Sequence, residues 1–149
     1  MILEPNLIQL RGFHNTVENG EVVGFQLNVR LTYYRGIFLS QLRPHKVVVD
    51  GEVFPREDII WHVKGQDFTY EQMKTESTVH WSPNDLATLK IRKAGGLSQG
   101  YHEVTTGYKV SSSYIPPNLQ TGIDNEEPEH IFQVLGFGQQ NETRKLLIV

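Results

Sequence analysis

From Val23 to Leu31 every second residue is apolar: Val23, Phe25, Leu27, Val29 and Leu31 alternate with Gly24, Gln26, Asn28 and Arg30. Successive side chains of a strand point to opposite faces, so this run buries one face against a core and leaves the other in water. Glu18-Asn19-Gly20 precedes it, and Asn and Gly tolerate positive φ at little cost, so residues from about 7 to 31 are expected to form a hairpin. The same logic repeats at Val47-Val48-Val49-Asp50-Gly51-Glu52-Val53, a second hairpin that should end before Pro55. Ile59, Trp61 and Val63 read as a strand closed by Gly65, and Ala87, Leu89 and Ile91 as one closed by Gly95-Gly96. Residues 101–114 supply one more. The single helical signal is Thr69-Tyr70-Glu71-Gln72, which has capping-box spacing but leads into only a few residues.

Composition agrees with the strands. The chain holds fourteen valines, ten isoleucines and ten threonines against two alanines, Ala87 and Ala94. β-Branched side chains lose rotamer freedom in helices and pack well on pleated surfaces, so a helical bundle is excluded. The expected fold class is all-β: a two-sheet antiparallel β-sandwich, immunoglobulin-like or jelly-roll-like, in one domain over residues 1–149. In Leu97-x-x-Gly100-x-His102-x-Val104, His102 stands where such sandwiches usually place the tyrosine of a corner entering a late strand. After Pro116-Pro117 the character shifts. Residues 118–130 hold Asp124, Glu126, Glu127 and Glu129 and read as a solvated acidic loop, 131–135 as a possible strand, and Leu146-Leu147-Ile148-Val149 as an end needing cover.

Several functions are excluded by the same counts. Fourteen basic residues against seventeen acidic, with no Lys/Arg block, leave no basic patch to displace phosphate counterions, so no nucleic-acid partner is expected. The absence of cysteine removes disulfides, thiol nucleophiles and zinc–thiolate sites, and it fits a reducing compartment. No uncharged apolar run reaches the ~18 residues of a membrane helix. Glu4 and Pro5 also interrupt the start where a signal peptide would be basic and then apolar, so a cytoplasmic protein without membrane contact is expected.

Catalytic chemistry is sparse. The six histidines, His14, His45, His62, His80, His102 and His130, lie 17 to 31 residues apart with no close ligand pair, so no metal ligand is assigned. Pro128 breaks any helix that would align Glu127 with His130. Ser111-Ser112-Ser113 lacks the glycine-flanked turn that exposes a nucleophile, and no helix follows the glycine-rich 95–100 stretch to hold a phosphate. No catalytic residue is assigned either. What remains is Tyr33-Tyr34-Arg35-Gly36, directly after the strongest strand, where two aromatics and a guanidinium bring large contact area with polar ends, as interface anchors and sugar-stacking sites do. The other reading makes Tyr33 or Tyr34 core and Arg35 a surface ion-pair partner. Tyr114-Ile115-Pro116-Pro117 is a second candidate contact segment, held extended by its prolines.

Taken in order, Val22-Val23-Gly24-Phe25, Tyr33-Tyr34-Arg35-Gly36, Val49-Asp50-Gly51-Glu52 with Pro55, Gly95-Gly96-Leu97 with Gly100 and His102, and Tyr114 with Pro116 resemble the small (beta) subunit of bacterial C-glycoside deglycosidases. The likeness spans roughly residues 10–117. It implies a β-sandwich that works in a hetero-oligomer with a larger alpha subunit, a sugar-isomerase-like TIM barrel carrying a divalent metal, manganese by expectation. Such an enzyme, a carbon–carbon lyase, cleaves the bond between a 3-oxo sugar and an aromatic aglycone such as a flavonoid. On this chain the expected contacts with the partner or the aglycone side are Tyr33, Tyr34, Arg35, Gly36, Tyr114 and Pro116, with no cofactor of its own. Two rival readings stand beside it: a free-standing carbohydrate-binding module using the same tyrosines, and a cupin-like sugar isomerase in which His62, His102 and a carboxylate converge.

Overall fold

A computed structural model describes residues 3–110 and 139–149. The strands are β1 (His14–Glu18), β2 (Glu21–Arg30), β3 (Ile37–Phe38), β4 (Leu42–Pro44), β5 (Val47–Val49), β6 (Glu52–Phe54), β7 (Ile59–Val63), β8 (Gln66–Phe68), β9 (His80–Trp81), β10 (Leu86–Arg92), β11 (Gly100–Val110) and β12 (Gln139–Ile148). One sheet runs β1-β2-β10-β7-β8 and the other β12-β11-β5-β6, with β4 also on β11, while β3 and β9 pair apart. All of these pairings are antiparallel. The expected all-β sandwich is what the chain forms.

Periodicity explains the first sheet. Leu89 stands opposite both Leu27 and Trp61, so three inward side chains share one cross-strand row, and all three are buried. Burying a side chain such as Leu89 contributes about 1.5–3 kcal/mol. Val104, Tyr108 and Leu146 answer from the second sheet, and the buried apolar residues of both sheets join in one cluster. Leu146 and Ile148 are buried and Leu147 and Val149 exposed, so the apolar C-terminal end finds its cover as half of a strand.

Turn chemistry sets the hairpins. Asn19 and Gly20, then Asp50 and Gly51, take positive φ in succession, as two-residue turns that match strand twist require. Lys64 and Gly65 do the same and lead into β8, a short strand beyond those expected from the sequence. The capping box forms as expected: Gln72 N–H donates to Thr69 Oγ1 at 3.2 Å, Thr69 N–H donates to Gln72 Oε1 at 2.9 Å, and the helix α1 (Tyr70–Thr75) is one and a half turns long.

The first hairpin is shorter than the expected 7–31. It comprises β1 and β2 only, because Gly12 turns the chain at φ 87°, where a Cβ would lie 2.2 Å from Asn28 Nδ2. Upstream of that turn the chain rejoins β2: Arg30 N–H donates to Leu7 O and Gln9 N–H to Asn28 O. This N-terminal strap also grips the opposite sheet. Arg144 of β12 donates to Glu4 and, at 2.7 Å, to Ile8 O, while Leu7 N–H donates to Glu142 Oε2 at 3.0 Å. Tyr114, Pro116, the serine run, the acidic 118–130 stretch and the possible strand at 131–135 lie outside the described residues.

Candidate functional site

The end of the sandwich where β2 finishes is built on three buried rings. Trp61, Trp81 and Tyr108 meet edge to face, with centroids 5.5, 5.8 and 6.5 Å apart, a geometry that sets the positive edge of one ring on the negative face of another. Tyr108 Oη accepts from Thr32 N–H and donates to Arg30 O, both at 2.8 Å, and Trp81 Nε1 donates to Asp85 O. Burial pushes the Tyr108 phenol up, so it stays protonated and able to donate. The backbone leaving β2 is thereby fixed at Thr32, immediately before the two tyrosines.

Tyr33 and Tyr34 then part ways. Tyr33 packs against the core, whereas Tyr34 is 79% exposed, its ring 4.7 Å from that of Tyr33 and tilted by 53°. The Arg35 guanidinium lies over the outer tyrosine, 5.7 Å from its centroid. Partial burial and the neighbouring Tyr34 hydroxyl raise the Tyr33 phenol pKa, with Arg35 opposing them. Gly36 touches a residue distant in sequence: a Cβ there would lie 2.0 Å from His80 Cε1. His80 in turn meets Phe38 edge to face at 5.3 Å, its partner in the β3–β9 pairing. The structure thus sets Tyr33 against the core and leaves Tyr34 exposed. Phe38 and His80 carry no sequence signal for this end, because only the pairing of β3 with β9 brings them to it.

Toward the other end of β2, six residues back along β11 from Tyr108 and so roughly 20 Å away, lies a polar corner. There His102 Nδ1 lies 2.5 Å from Asp50 Oδ2 and His102 Nε2 lies 2.7 Å from Ser98 O. The expected corner therefore forms, with a histidine closing back onto the backbone four residues upstream. Asp50 and Glu103 also exchange bonds: Glu103 N–H donates to Asp50 Oδ1 at 2.8 Å and Asp50 N–H to Glu103 O at 2.9 Å.

His62 belongs elsewhere. It lies on β7 of the first sheet and shares Asp67 with Lys90, His62 Nδ1 at 2.7 Å and Lys90 Nζ at 3.1 Å from Asp67 Oδ1. Those bonds hold the Asp67 carboxyl below its usual range, the His62 contact first. The cupin-like reading needs His62 and His102 together, and the structure puts them on different sheets with different carboxylates. Among the described residues no three His, Asp or Glu side chains group as a metal site.

Comparison with known proteins matches the C-glycoside deglycosidase beta subunit family over residues 3–114. A C-glycoside deglycosidase beta subunit from Eubacterium cellulosolvens is 40% identical over 148 residues, which is 99% of this chain and 100% of the relative. The chain belongs to this family. Beta subunits from Microbacterium trichothecenolyticum and Arthrobacter globiformis are 32% and 28% identical over 60% of this chain, covering 67% and 68% of their own lengths. The family match takes in both ends of β2, with Tyr33, Tyr34, Arg35 and Gly36 at one and Asp50, Ser98 and His102 at the other. Pro116 lies beyond it.

Proposed function

We propose that this chain is the beta subunit of a C-glycoside deglycosidase and acts in complex with a larger alpha subunit that carries the chemistry. The observation that supports this most is the end-to-end likeness to the Eubacterium cellulosolvens beta subunit. In this reading the complex is a cytoplasmic carbon–carbon lyase whose alpha subunit is a sugar-isomerase-like TIM barrel, and its substrate is a 3-oxo-C-glycoside of an aromatic aglycone such as a flavonoid. The C3 ketone acidifies the proton on C2. A base takes that proton, the C2–H pair becomes a C1=C2 double bond as the electrons of the C1–aglycone bond leave with the aglycone carbon, and that carbon is protonated, so an unsaturated 3-oxo sugar and the aglycone part by elimination. The manganese implied by the resemblance has no ligand set among the described residues of this chain, and the reading puts it on the alpha subunit.

The surface we assign to the partner is the aromatic end. Tyrosine and arginine dominate the few residues that carry binding energy at interfaces, because rigid rings and a planar guanidinium give large contact area for little lost entropy. Tyr34 and Arg35 are exposed just beyond Thr32, whose backbone Tyr108 binds, and the Arg35 guanidinium lies over the Tyr34 ring. Co-expression with the alpha subunit and native mass spectrometry tests this. A complex is expected, and Tyr34→Ala with Arg35→Ala should weaken it at least about tenfold while the isolated chain melts as before. Unchanged affinity in that double variant would move the interface elsewhere on the molecule.

A further inference from the structure

The polar corner around His102 is set apart from the aromatic end and takes no part in the function proposed above. His102 is 7% exposed, and both of its ring nitrogens face acceptors, the Asp50 carboxylate and the Ser98 carbonyl. A neutral imidazole has one N–H and can satisfy only one of them. The Asp50 side chain is half exposed, with its other oxygen accepting from Glu103 N–H, so it is placed to be ionised. The pair is satisfied in full only when the ring carries two protons.

The corner ties three segments together. Asp50 belongs to the β5–β6 turn, His102 to β11, and Ser98 to the loop between β10 and β11, which passes through positive φ at Gly95 and Gly96 and meets β11 at Gly100, also at positive φ. That loop is pinned on its other side by Asn15 of β1, whose side chain donates to Leu97 O and accepts from Leu97 N–H, both at 2.8 Å. Two clamps therefore hold the glycine loop, and one of them depends on a proton.

We propose that His102 is a proton-operated latch: its imidazolium locks the β10–β11 loop and the β5–β6 turn to the start of β11, and loss of the ring proton frees the loop on that side. Around the ring, Phe13 meets it in a T-shaped contact at 6.3 Å and Leu146 stands opposite on β12, both uncharged. The charged neighbours among the described residues are Asp50 itself, Glu103 opposite Lys145, and Glu52 paired with Lys93 at 2.8 Å. Lys93 is matched by Glu52, and Asp50 is the anion bonded to the ring. Burial works against a charged imidazole, but the Ser98 and Asp50 hydrogen bonds outweigh it and raise the His102 pKa. The Glu103 N–H and then His102 lower that of Asp50.

The raised histidine contributes stability that is complete below its unfolded value near 6.5 and is lost as pH climbs through the folded value. The depressed aspartate contributes stability present above its unfolded value and lost as pH falls through the folded one. The latch is closed between those limits and opens on the alkaline side. Ring-nitrogen NMR and amide exchange on the full chain, from pH 5 to 9, test it. His102 should keep both ring protons at a pH where a free histidine is mostly neutral, and protection of the Gly100 and Glu103 amides should fall at least about tenfold as the ring deprotonates. Asp50→Asn keeps the acceptor for Glu103 and suits the positive φ, and it should move the His102 transition to lower pH. His102→Tyr supplies an uncharged donor for Ser98 and should abolish the step in protection. A wild-type ring that titrates at or below about 6.5 would overturn the latch, as would a transition unmoved in Asp50→Asn or an unchanged step in His102→Tyr.

Discussion

Tyr108 carries one hydroxyl that satisfies a donor and an acceptor of the chain leaving β2, Thr32 N–H and Arg30 O. Tyr108→Phe keeps the ring in its contacts with Trp61 and Trp81 but strands both backbone groups, which costs about 1–3 kcal/mol. A chain of this size should then melt roughly 2–4 °C lower for each kcal/mol, and calorimetry would read it. An unchanged melting temperature would mean the hydroxyl does not hold this end. Neither bond is foreseeable from sequence, since Tyr108 stands in an ordinary strand 76 residues from Thr32. His102 is readable, because Leu97, Gly100 and Val104 frame a corner. Its charge state is not, because Asp50 comes from a different hairpin and approaches only when β5 pairs with β11. The split between Tyr33 and Tyr34 has the same cause: adjacent aromatics are equivalent in sequence until the fold sets one of them against the core.

Among the elements, those with period-two apolar runs and Asn-Gly or Asp-Gly turns are legible in the sequence, because one face packs and the turn residues accept positive φ. Lys64-Gly65 hides such a turn, since lysine in the left-handed region is unusual and β8 is only three residues long. β12 is hidden by its polarity: Gln140, Asn141, Glu142, Thr143, Arg144 and Lys145 precede its buried end. That polarity has a local reason. Glu142 and Arg144 sit on an edge strand and meet the N-terminal strap, where carboxylate and guanidinium bind backbone groups that would otherwise lack partners. Arg144→Ala should therefore destabilise the chain by about 1.5–3 kcal/mol, the usual range for hydrogen bonds to a charged group, and expose the Ile8 region to amide exchange. A surface arginine of no consequence would leave stability and exchange as they were.

The whole molecule joins unlike ends: an aromatic cluster where β2 finishes and a polar corner built on His102 and Asp50. The two sheets share one core, yet the chemistry-bearing side chains at its polar sites are taken up in structural bonds. His62 and Lys90 share Asp67, and His102 holds Asp50 and Ser98. Among the described residues no helix is long and apolar enough to cross a bilayer. Family membership is readable from ordered short motifs, and strand pairing sorts them into the two ends. The most direct measurement is release of aglycone from a 3-oxo-C-glycoside by the alpha subunit alone, by this chain alone and by the two together. Turnover is expected from the pair and from neither part by itself. Full turnover by the alpha subunit alone, or by this chain alone, would contradict the division of labour proposed for the complex.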